Sequence, residues 1–304
     1  MPVENGVGVS PATPVKLDHF RQIAGAHQRI VSEIFKKAYR THPLYLYFDL
    51  HAGRGRYPGS DGSPLAGSPV IFRDLAEAAR LPYRAWLFEE CGRNADHLVS
   101  VMRDGNWIRG IATVVRGDNR LTVAEVVPEL ERVTGAAYGL VFVDPNGGGI
   151  PTRAVRDIIT APHTSRLDVL VSVSATDYKR RVHLGHSRLL DDLTGIGRRF
   201  VWLRQPYAEW QWTLAICTDW DDFPQFTRLG FSRVGTPEGD ALAHRLNLTA
   251  EECRRRPFVL SPPIEPMPST SGIPDSSPFG PRSLSAPEVG VNDADSARQL
   301  MLTI

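Results

Sequence analysis

Short apolar runs alternate with amphipathic segments between residues 16 and 218, which predicts a mostly parallel β-sheet with helices on both faces. The predicted strands are Tyr45–Leu50, Tyr83–Phe88, Ile108–Val115, Ala137–Val143, Leu167–Val173, Arg199–Arg204 and Trp210–Thr218. The predicted helices are Lys16–Arg40, Val70–Arg80, Asn94–Arg103, Val123–Thr134, Pro151–Thr160 and residues 187–195. Only QPYAE separates the last two strands, so we expect an antiparallel hairpin at an edge of the sheet. The expected fold class is α/β and doubly wound.

The composition divides the chain into three parts. Residues 1–15 lack periodicity and are predicted to be a flexible N-terminus, and residues 16–250 carry the whole strand and helix pattern. Residues 257–304 begin with a long Pro- and Ser-rich stretch without periodic apolar positions, so they are predicted to be a disordered tail. Within the domain, YPGSDGSPLAGSP at residues 57–69 is predicted to be a long loop.

Charge and cysteine content exclude little. The 35 basic and 34 acidic residues nearly cancel, so the net charge neither supports nor excludes a nucleic-acid partner. Cys91, Cys217 and Cys253 are odd in number and far apart, which predicts free thiols and no zinc site. No apolar run has the length of a membrane span, and residues 1–14 lack both the basic and the apolar part of a signal peptide. We expect a cytoplasmic protein that binds neither membrane nor metal.

The stretch Tyr45–Tyr57, YLYFDLHAGRGRY, is a candidate cofactor-binding turn. An apolar strand ends in Asp49, and Gly53 and Gly55 follow within six residues. Glycine lets backbone N–H groups approach a ligand closely, because no Cβ intervenes. A dinucleotide site needs a third glycine and a helix directly after the turn, and both are missing here. The sequence therefore favours S-adenosylmethionine, a cofactor without phosphate, over a dinucleotide.

Acidic residues follow four of the predicted strands, at the sheet edge where ligands of parallel sheets bind. An unpaired carboxylate at a buried strand end is costly to desolvate, so their recurrence favours a ligand that carries an amine and hydroxyl groups. The strand ends would hold the amino-acid part, the ribose and the adenine of the cofactor in turn. Each residue alone also fits a tight turn or a solvated strand end. The predicted cofactor-binding residues are Asp49, His51, Ala52, Gly53, Gly55, Glu89, Asp118 and Asn119.

FDLHAGRGRY followed by DGSPLAGSP resembles the opening motif of the three-Cys-motif partner (TcmP) proteins, a branch of the class I S-adenosylmethionine-dependent methyltransferase-like group. The pattern in that family is an apolar strand, Asp, a short AGxGRY turn and a GSP loop, preceded by a Lys-containing helix. The similarity also covers Phe88–Glu89 and Asp144–Gly147, and spans residues 16–235. It implies a Rossmann-like methyltransferase domain, S-adenosylmethionine as cofactor and a role related to nucleic acid. It implies less about the substrate.

The sequence DPNG at residues 144–147 resembles the (D/N/S)-P-P-(Y/F) motif of amino methyltransferases that act on adenine or cytosine. There, the first side chain and the Pro carbonyl accept hydrogen bonds from the exocyclic amine and aim its lone pair at the methyl group. The resemblance implies catalytic roles for Asp144, Pro145 and Asn146. The aromatic residue that would stack on a flipped base is absent. Either there is no base to stack, or stacking comes from Tyr178, Tyr207, Trp210 or Trp212, although the two tryptophans also fit a core strand.

The densest basic stretch of the chain follows the fifth predicted strand, at DYKRRVH. At the carboxyl edge of the sheet it would flank the substrate opening and suit phosphates, and a solvated basic loop is the equally weighted alternative. The predicted substrate-binding residues are Tyr178, Lys179, Arg180 and Arg181. His183 and His186 have metal-ligand spacing but lack a third ligand, so no metal is predicted.

Three functional hypotheses remain. The chain lacks the G-x-S-x-G, G-x-x-x-x-G-K and H-E-x-x-H motifs, so common hydrolase and nucleotidase classes are not favoured. The first hypothesis is an S-adenosylmethionine-dependent methyltransferase acting on an exocyclic amine of a nucleic acid base. The alternatives are a non-catalytic methyltransferase-like subunit that serves a partner protein, and a methyltransferase for a small molecule.

Overall fold

The computed structural model describes residues 13–37, 43–59, 62–105, 107–108, 110–130, 137–145, 149–164, 166–184, 188–206, 212–221 and 224–246. The strands are β1 (Leu44–Asp49), β2 (Arg56–Pro58), β3 (Pro64–Ala66), β4 (Tyr83–Glu89), β5 (Gly110–Arg116), β6 (Ala137–Val143), β7 (Leu167–Ser174), β8 (Phe200–Arg204), β9 (Trp212–Thr218) and β10 (Phe231–Arg233). The helices are α1 (Thr13–Lys37), α2 (Ser68–Ala78), α3 (Gly92–Asp104), α4 (Asn119–Leu130), α5 (Thr152–Thr160), α6 (Ala175–His183), α7 (Leu189–Gly195), α8 (Pro224–Arg228) and α9 (Pro237–Leu246). The predicted tail, residues 257–304, lies outside the described residues.

Eight strands form one sheet in the order β10-β8-β9-β7-β6-β1-β4-β5. Strand β1 lies near the middle and pairs in parallel with β4 on one side and β6 on the other. The parallel pairing continues to β5 and to β7. The chain therefore winds outward from β1 in both directions, which confirms the predicted Rossmann-like, doubly wound α/β fold.

The C-terminal hairpin forms and, as predicted, adds antiparallel strands to one side of the sheet, beyond β7. Strand β9 pairs antiparallel with β7 as well as with β8, so it lies inside the sheet. All seven residues of β9 are buried, and a strand this apolar on both faces is more stable between two neighbours than at an edge. Beyond β8 lies β10, a short strand that the apolar pattern did not predict.

Two predicted loops contain regular structure. Residues 57–69 include the antiparallel pair β2–β3 and the first residues of α2. The turn between β2 and β3 uses Gly62 at φ +81°, and the N–H of Gly59 donates to the carbonyl of Ser63 at 2.7 Å. The basic stretch after β7 is the helix α6. At the N-terminus, α1 begins at Thr13, three residues before the predicted helix start at Lys16.

Side chains of the central strands alternate between two apolar layers. Tyr45 and Tyr47 of β1 pack in the layer with α1, α2, α3 and α8. Leu46 and Phe48 pack in the layer with α4, α5, α7 and α9. Because the strand period is two, this alternation sets which face each helix covers. It leaves the ends of the strands to carry the polar residues.

A buried polar network fixes α1 against the sheet at the amino edge of the strands. Nδ1 of His27 lies 2.8 Å from the hydroxyl of Tyr45, and Nε2 lies 3.0 Å from Oδ2 of Asp168. All three residues are buried. His27 follows Lys16 by eleven residues, or about 16 Å along the helix, so α1 crosses the sheet from one edge to the other.

We predict that Asp168→Asn lowers the free energy of unfolding by about 1–3 kcal/mol, because it weakens a buried hydrogen bond to His27. Urea unfolding followed by circular dichroism measures the change. The control is Asp157→Asn on the exposed side of α5, which should change stability by less than about 0.5 kcal/mol. Equal effects of the two substitutions would contradict an anchoring role for the network.

Candidate functional site

The glycine turn lies at the carboxyl end of β1 and is held by both neighbouring strands. The N–H of Leu50 donates to the carbonyl of Phe142 at 3.0 Å, and the N–H of Ala52 donates to the carbonyl of Phe88 at 2.9 Å. Gly53 and Gly55 then adopt φ +63° and +76°, in the left-handed region that other L-residues rarely occupy. The sequence-predicted turn is therefore formed, and it sits in the middle of the carboxyl edge.

Tyr57 covers this turn. Its side chain leaves no space at Gly53, where a Cβ would lie 2.0 Å from the tyrosine hydroxyl. Its ring also approaches Gly67, whose N–H donates to the carbonyl of Gly55 at 2.8 Å. The AGxGRY and GSP segments thus form one packed unit, in which glycine is required by the tyrosine as well as by the backbone.

Asp49 is the last residue of β1, and its carboxyl group is fully buried. Oδ2 accepts from the Tyr47 hydroxyl at 2.9 Å, Oδ1 accepts from the N–H of His51 at 3.2 Å, and the Ser68 side chain adds a further hydrogen bond. None of these donors is charged. Burial therefore dominates and raises the pKa of Asp49 to about 7.

His51 joins three strand ends. Its Nδ1 accepts from the N–H of Asp144 at 3.2 Å, and its Nε2 lies 3.3 Å from Nδ2 of Asn119. Asn119 is itself buried and donates to the carbonyl of Leu50 at 2.6 Å. Burial lowers the pKa of His51 to about 4, so the ring is neutral at pH 7. In these contacts His51 and Asn119 position the backbone around the turn.

Glu89 is the last residue of β4, and Asp118 follows the end of β5 by two residues. Oε1 of Glu89 accepts from the N–H of Cys91 at 2.9 Å, while within the described part of the chain Oε2 has no hydrogen bond. Oδ1 of Asp118 accepts from the N–H of Arg120 at 2.9 Å, which caps the start of α4. One carboxylate oxygen of Glu89 therefore remains available to a ligand.

Asp144 follows β6 and forms an ion pair with Lys16 of α1. The two side chains are 23% and 26% exposed, so the pair borders solvent at the carboxyl edge. Pro145 is half-buried beside it, and Asn146 lies outside the described residues. Lys16 was not predicted as a site residue. It lies 128 residues away in the chain, and only the packing of α1 across the sheet brings it here.

Two side chains show that the predicted residues converge. Burial is the largest cause that raises the pKa of the Tyr57 hydroxyl. The negative charges of Asp49, Asp144 and Glu89 raise this pKa further. Besides the dominant effect of burial, the pKa of His51 responds to the charges of Asp144, Lys16, Arg120 and Asp118. The structure thus gathers residues from β1, β4, β6 and the loop after β5 around one turn. Tyr57 and Ser68 belong to it although sequence reasoning did not select them, and the GRY and GSP motifs were the available signal.

The predicted substrate-binding residues lie on α6. Tyr178 is buried, and its hydroxyl donates to Asp192 at 2.9 Å. Arg180 is exposed, whereas the side chains of Lys179 and Arg181 lie outside the described part of the structure. Trp212 is also buried, which agrees with the alternative that the tryptophans belong to the core. Tyr207 and Trp210 lie outside the described residues. The role of α6 in substrate binding stays a prediction.

In the described residues, no group of three or more His, Cys, Asp and Glu side chains is arranged to hold a metal ion. Nor does any described helix combine the length and apolar character needed to cross a bilayer.

The contact between Gly53 and Tyr57 has a measurable consequence. We predict that Gly53→Ala lowers the free energy of unfolding by more than the 1–2 kcal/mol of the left-handed backbone alone, because the new Cβ meets the tyrosine hydroxyl. The matched control is Gly62→Ala, which has the same sign of φ but open space around it and should show the backbone cost only. In a Tyr57→Phe background the excess at Gly53 should shrink. Equal costs at the two glycines, measured by urea unfolding, would contradict the packing described.

The buried carboxyl of Asp49 predicts a pH dependence. Its pKa is about 7 in the folded chain against an ordinary value of 3.8, so folding favours its protonated form. This contribution is fully present below about pH 4 and is lost as pH rises to about 7, at most about 4 kcal/mol. The Asp49→Asn variant should not lose this stability as the pH rises.

The measurement is urea unfolding of both proteins between pH 4 and pH 7. The stability of Asp49→Asn minus that of the wild type should increase with pH over this range. His51 titrates in the opposite direction, since its pKa is lowered, and it contributes equally to both proteins. A difference that does not change with pH would refute the burial effect.

No family model matches the chain, and no curated protein sequence matches it. Among solved structures, the chain is similar to the protein LPL1258 from Legionella pneumophila, with 15% identity, coverage of 75% of this chain and 93% of that one, and a TM-score of 0.48. A DUF574 family protein from Streptomyces avermitilis is 14% identical, with coverage of 70% of this chain and 93% of that one and a TM-score of 0.39. M. jannaschii TYW2, solved in complex with AdoMet, is 12% identical, with coverage of 69% of this chain and 76% of that one and a TM-score of 0.36. At these values the fold class rests on the strand order of the chain itself.

Proposed function

We propose that the chain is an S-adenosylmethionine-dependent methyltransferase that acts on an exocyclic amine of a nucleic acid base. The observation that carries the proposal is the convergence of the Asp49, Glu89 and Asp144 carboxyl groups on Tyr57, beside the Gly53 turn. This arrangement has acidic groups for a cationic, hydroxyl-bearing cofactor and one further carboxylate for an amine. It lies at the edge of the sheet where ligands of doubly wound folds bind.

Asp49 fits the amino-acid end of the cofactor. Its carboxyl group is buried, and within the described residues no cationic side chain contacts it. A ligand ammonium group beside it would stabilise the charged form that burial disfavours. Glu89, with one free oxygen at the end of β4, is placed to accept from ribose hydroxyls. His51, Ala52, Asp118 and Asn119 shape the turn and the neighbouring strand ends.

Asp144 fits the amine of the substrate. The ammonium group of Lys16 already donates to its carboxylate, so this position accepts an N–H donor. A substrate amine would either displace Lys16 or use the second carboxylate oxygen. The N–H of Asp144 donates to neutral His51, which holds this loop against the glycine turn. Pro145 follows directly, and its carbonyl is the second acceptor that the amino methyltransferase motif implies.

The cofactor supplies a methyl group on a positively charged sulfur, ready for in-line displacement. The protein then mainly positions the nucleophile. Asp144 accepts a hydrogen bond from the amine and directs the nitrogen lone pair at the methyl carbon. As the C–N bond forms, the bond between the methyl carbon and sulfur would break and leave its electron pair on the sulfur. The nitrogen would then lose one proton to the Asp144 carboxylate, which would pass it to solvent. At pH 7 His51 is uncharged and serves as a positioning residue.

Cofactor binding is tested by calorimetry with S-adenosylmethionine in buffers of different ionisation enthalpy. Near pH 7 the wild type should release protons on binding, because the cofactor ammonium ionises Asp49. Asp49→Asn should bind at least tenfold more weakly and release none. Glu89→Gln should also weaken binding, whereas Glu90→Gln, at the exposed neighbour, should not. Absence of binding to the wild type would exclude the enzyme and favour the non-catalytic subunit.

Methyl transfer is tested with tritiated cofactor against DNA, RNA and a metabolite pool. Transfer to nucleic acid, located on an exocyclic amine by nucleoside analysis, is the expected result. Asp144→Asn should lower it at least 100-fold while cofactor affinity stays within a few-fold. Transfer to the metabolite pool alone would favour a small-molecule methyltransferase, and a fully active Asp144→Asn would remove this residue from the chemistry.

A further inference from the structure

A second polar side chain, Arg204, lies on the same edge of the sheet, on the side of β6 away from the glycine turn. Arg204 is the last residue of β8, which runs parallel to β7 because both are antiparallel to β9. The carboxyl end of β8 therefore lies at the same edge of the sheet as Asp144. Arg204 is only 7% exposed, which is unusual for a cationic side chain.

The guanidinium group is held by neutral partners. Nε donates to the carbonyl of Leu229 at 2.8 Å, and Nη1 contacts Nδ1 of His19. Burial lowers the pKa of His19 to about 4, so at pH 7 this imidazole is uncharged and accepts from Arg204. Nη2 makes no hydrogen bond within the described part of the chain. Both N–H groups of Nη2 are thus left without a partner among the described residues.

Arg204 differs from two other buried arginine side chains, Arg73 and Arg198, because each of these contacts a carboxylate. Arg73 contacts Asp74 at 2.5 Å, and Arg198 contacts Asp219 at 2.8 Å. No carboxylate in the described residues contacts Arg204, and the nearest acidic influence is Asp18, whose Oδ2 accepts from Gln22 at 2.8 Å. A buried cation without a counterion is costly, and burial lowers the pKa of Arg204 to about 10.

The geometry connects Arg204 to the Asp144 site. Strands β7 and β9 separate β6 from β8, so the two strand ends are three steps, or about 14 Å, apart. Helix α1 bridges them, since Lys16 pairs with Asp144 and His19, one turn later on the same face, contacts Arg204. The centroid of the Trp212 ring lies 5.5 Å from that of the His19 ring.

We propose that Arg204 binds a phosphate group of the substrate whose amine lies at Asp144. This inference rests on the proposed function and adds to it a second anchor, which selects a phosphorylated substrate. The planar fork of arginine matches phosphate oxygens, and a phosphate would supply the counterion that the described residues do not. A nucleotide carries its exocyclic amine and its phosphate at opposite ends, as the separation of Asp144 and Arg204 requires.

The test uses the full chain and two kinds of probe. Titration with inorganic phosphate, followed on the arginine Nε–H signals by NMR, should shift the Arg204 signal and leave the Arg73 signal in place. Calorimetry should give at least tenfold tighter binding of AMP than of adenosine, because only AMP carries the phosphate. A short oligonucleotide that binds tighter than AMP would identify a nucleic acid strand as the source of the phosphate. Equal affinities of the oligonucleotide and AMP would identify a free nucleotide as the source.

Arg204→Gln should abolish the difference in binding affinity between AMP and adenosine. Arg204→Lys should keep part of this difference, because lysine retains the charge but not the planar guanidinium group. Arg73→Gln, which removes a guanidinium of similar burial, should leave the difference intact and controls for loss of folding. Thermal unfolding of each variant verifies the fold. An unmoved Arg204 signal at millimolar phosphate, or an Arg204→Gln variant that still prefers AMP, would overturn the proposal.

The outcome is separate from that of the proposed function. Phosphate binding at Arg204 without S-adenosylmethionine binding would retain the anion site and reject the methyltransferase. Cofactor binding and methyl transfer with no phosphate effect at Arg204 would retain the enzyme and reject the second anchor.

Discussion

The burial of the Asp49 carboxyl at the end of the central strand is the constraint on which the candidate site depends. Uncharged donors from Tyr47, His51 and Ser68 satisfy its oxygens, and these donors tie β1, the glycine turn and the start of α2 together. The arrangement raises the pKa of Asp49 to about 7 and leaves the charged form without a counterion among the described residues. A cationic ligand is the natural complement of such a group.

Helix α1 links the framework to the site. At the amino edge of the sheet, His27 joins Tyr45 and Asp168 in a buried network. At the carboxyl edge, the same helix presents Lys16 to Asp144 and His19 to Arg204. One element therefore sets the positions of both polar groups in the proposed substrate region, so weakening its amino-edge anchor should disturb a region that lies a full strand length away.

Much of the fold and half of the site were predictable from local pattern. The alternation of apolar strands and amphipathic helices indicates a doubly wound sheet, and acidic residues after successive strands share one edge in such a sheet. Asp49, Gly53 and Glu89 were found in this way. Pattern failed at β10, where three residues are too short to show a period.

By itself, the sequence determined the order of the strands along the chain, the glycine turn after β1 and the chemistry at each strand end, because these depend on local periodicity and residue type. The tertiary structure alone decided which distant side chains meet there. Lys16 and Asp144 are 128 residues apart, and His19 and Arg204 are 185 apart. Such pairs are created by helix packing across a sheet, which leaves no local signal in the sequence. They join a row of strand-end residues into the candidate site for which we propose a cofactor half and a substrate half.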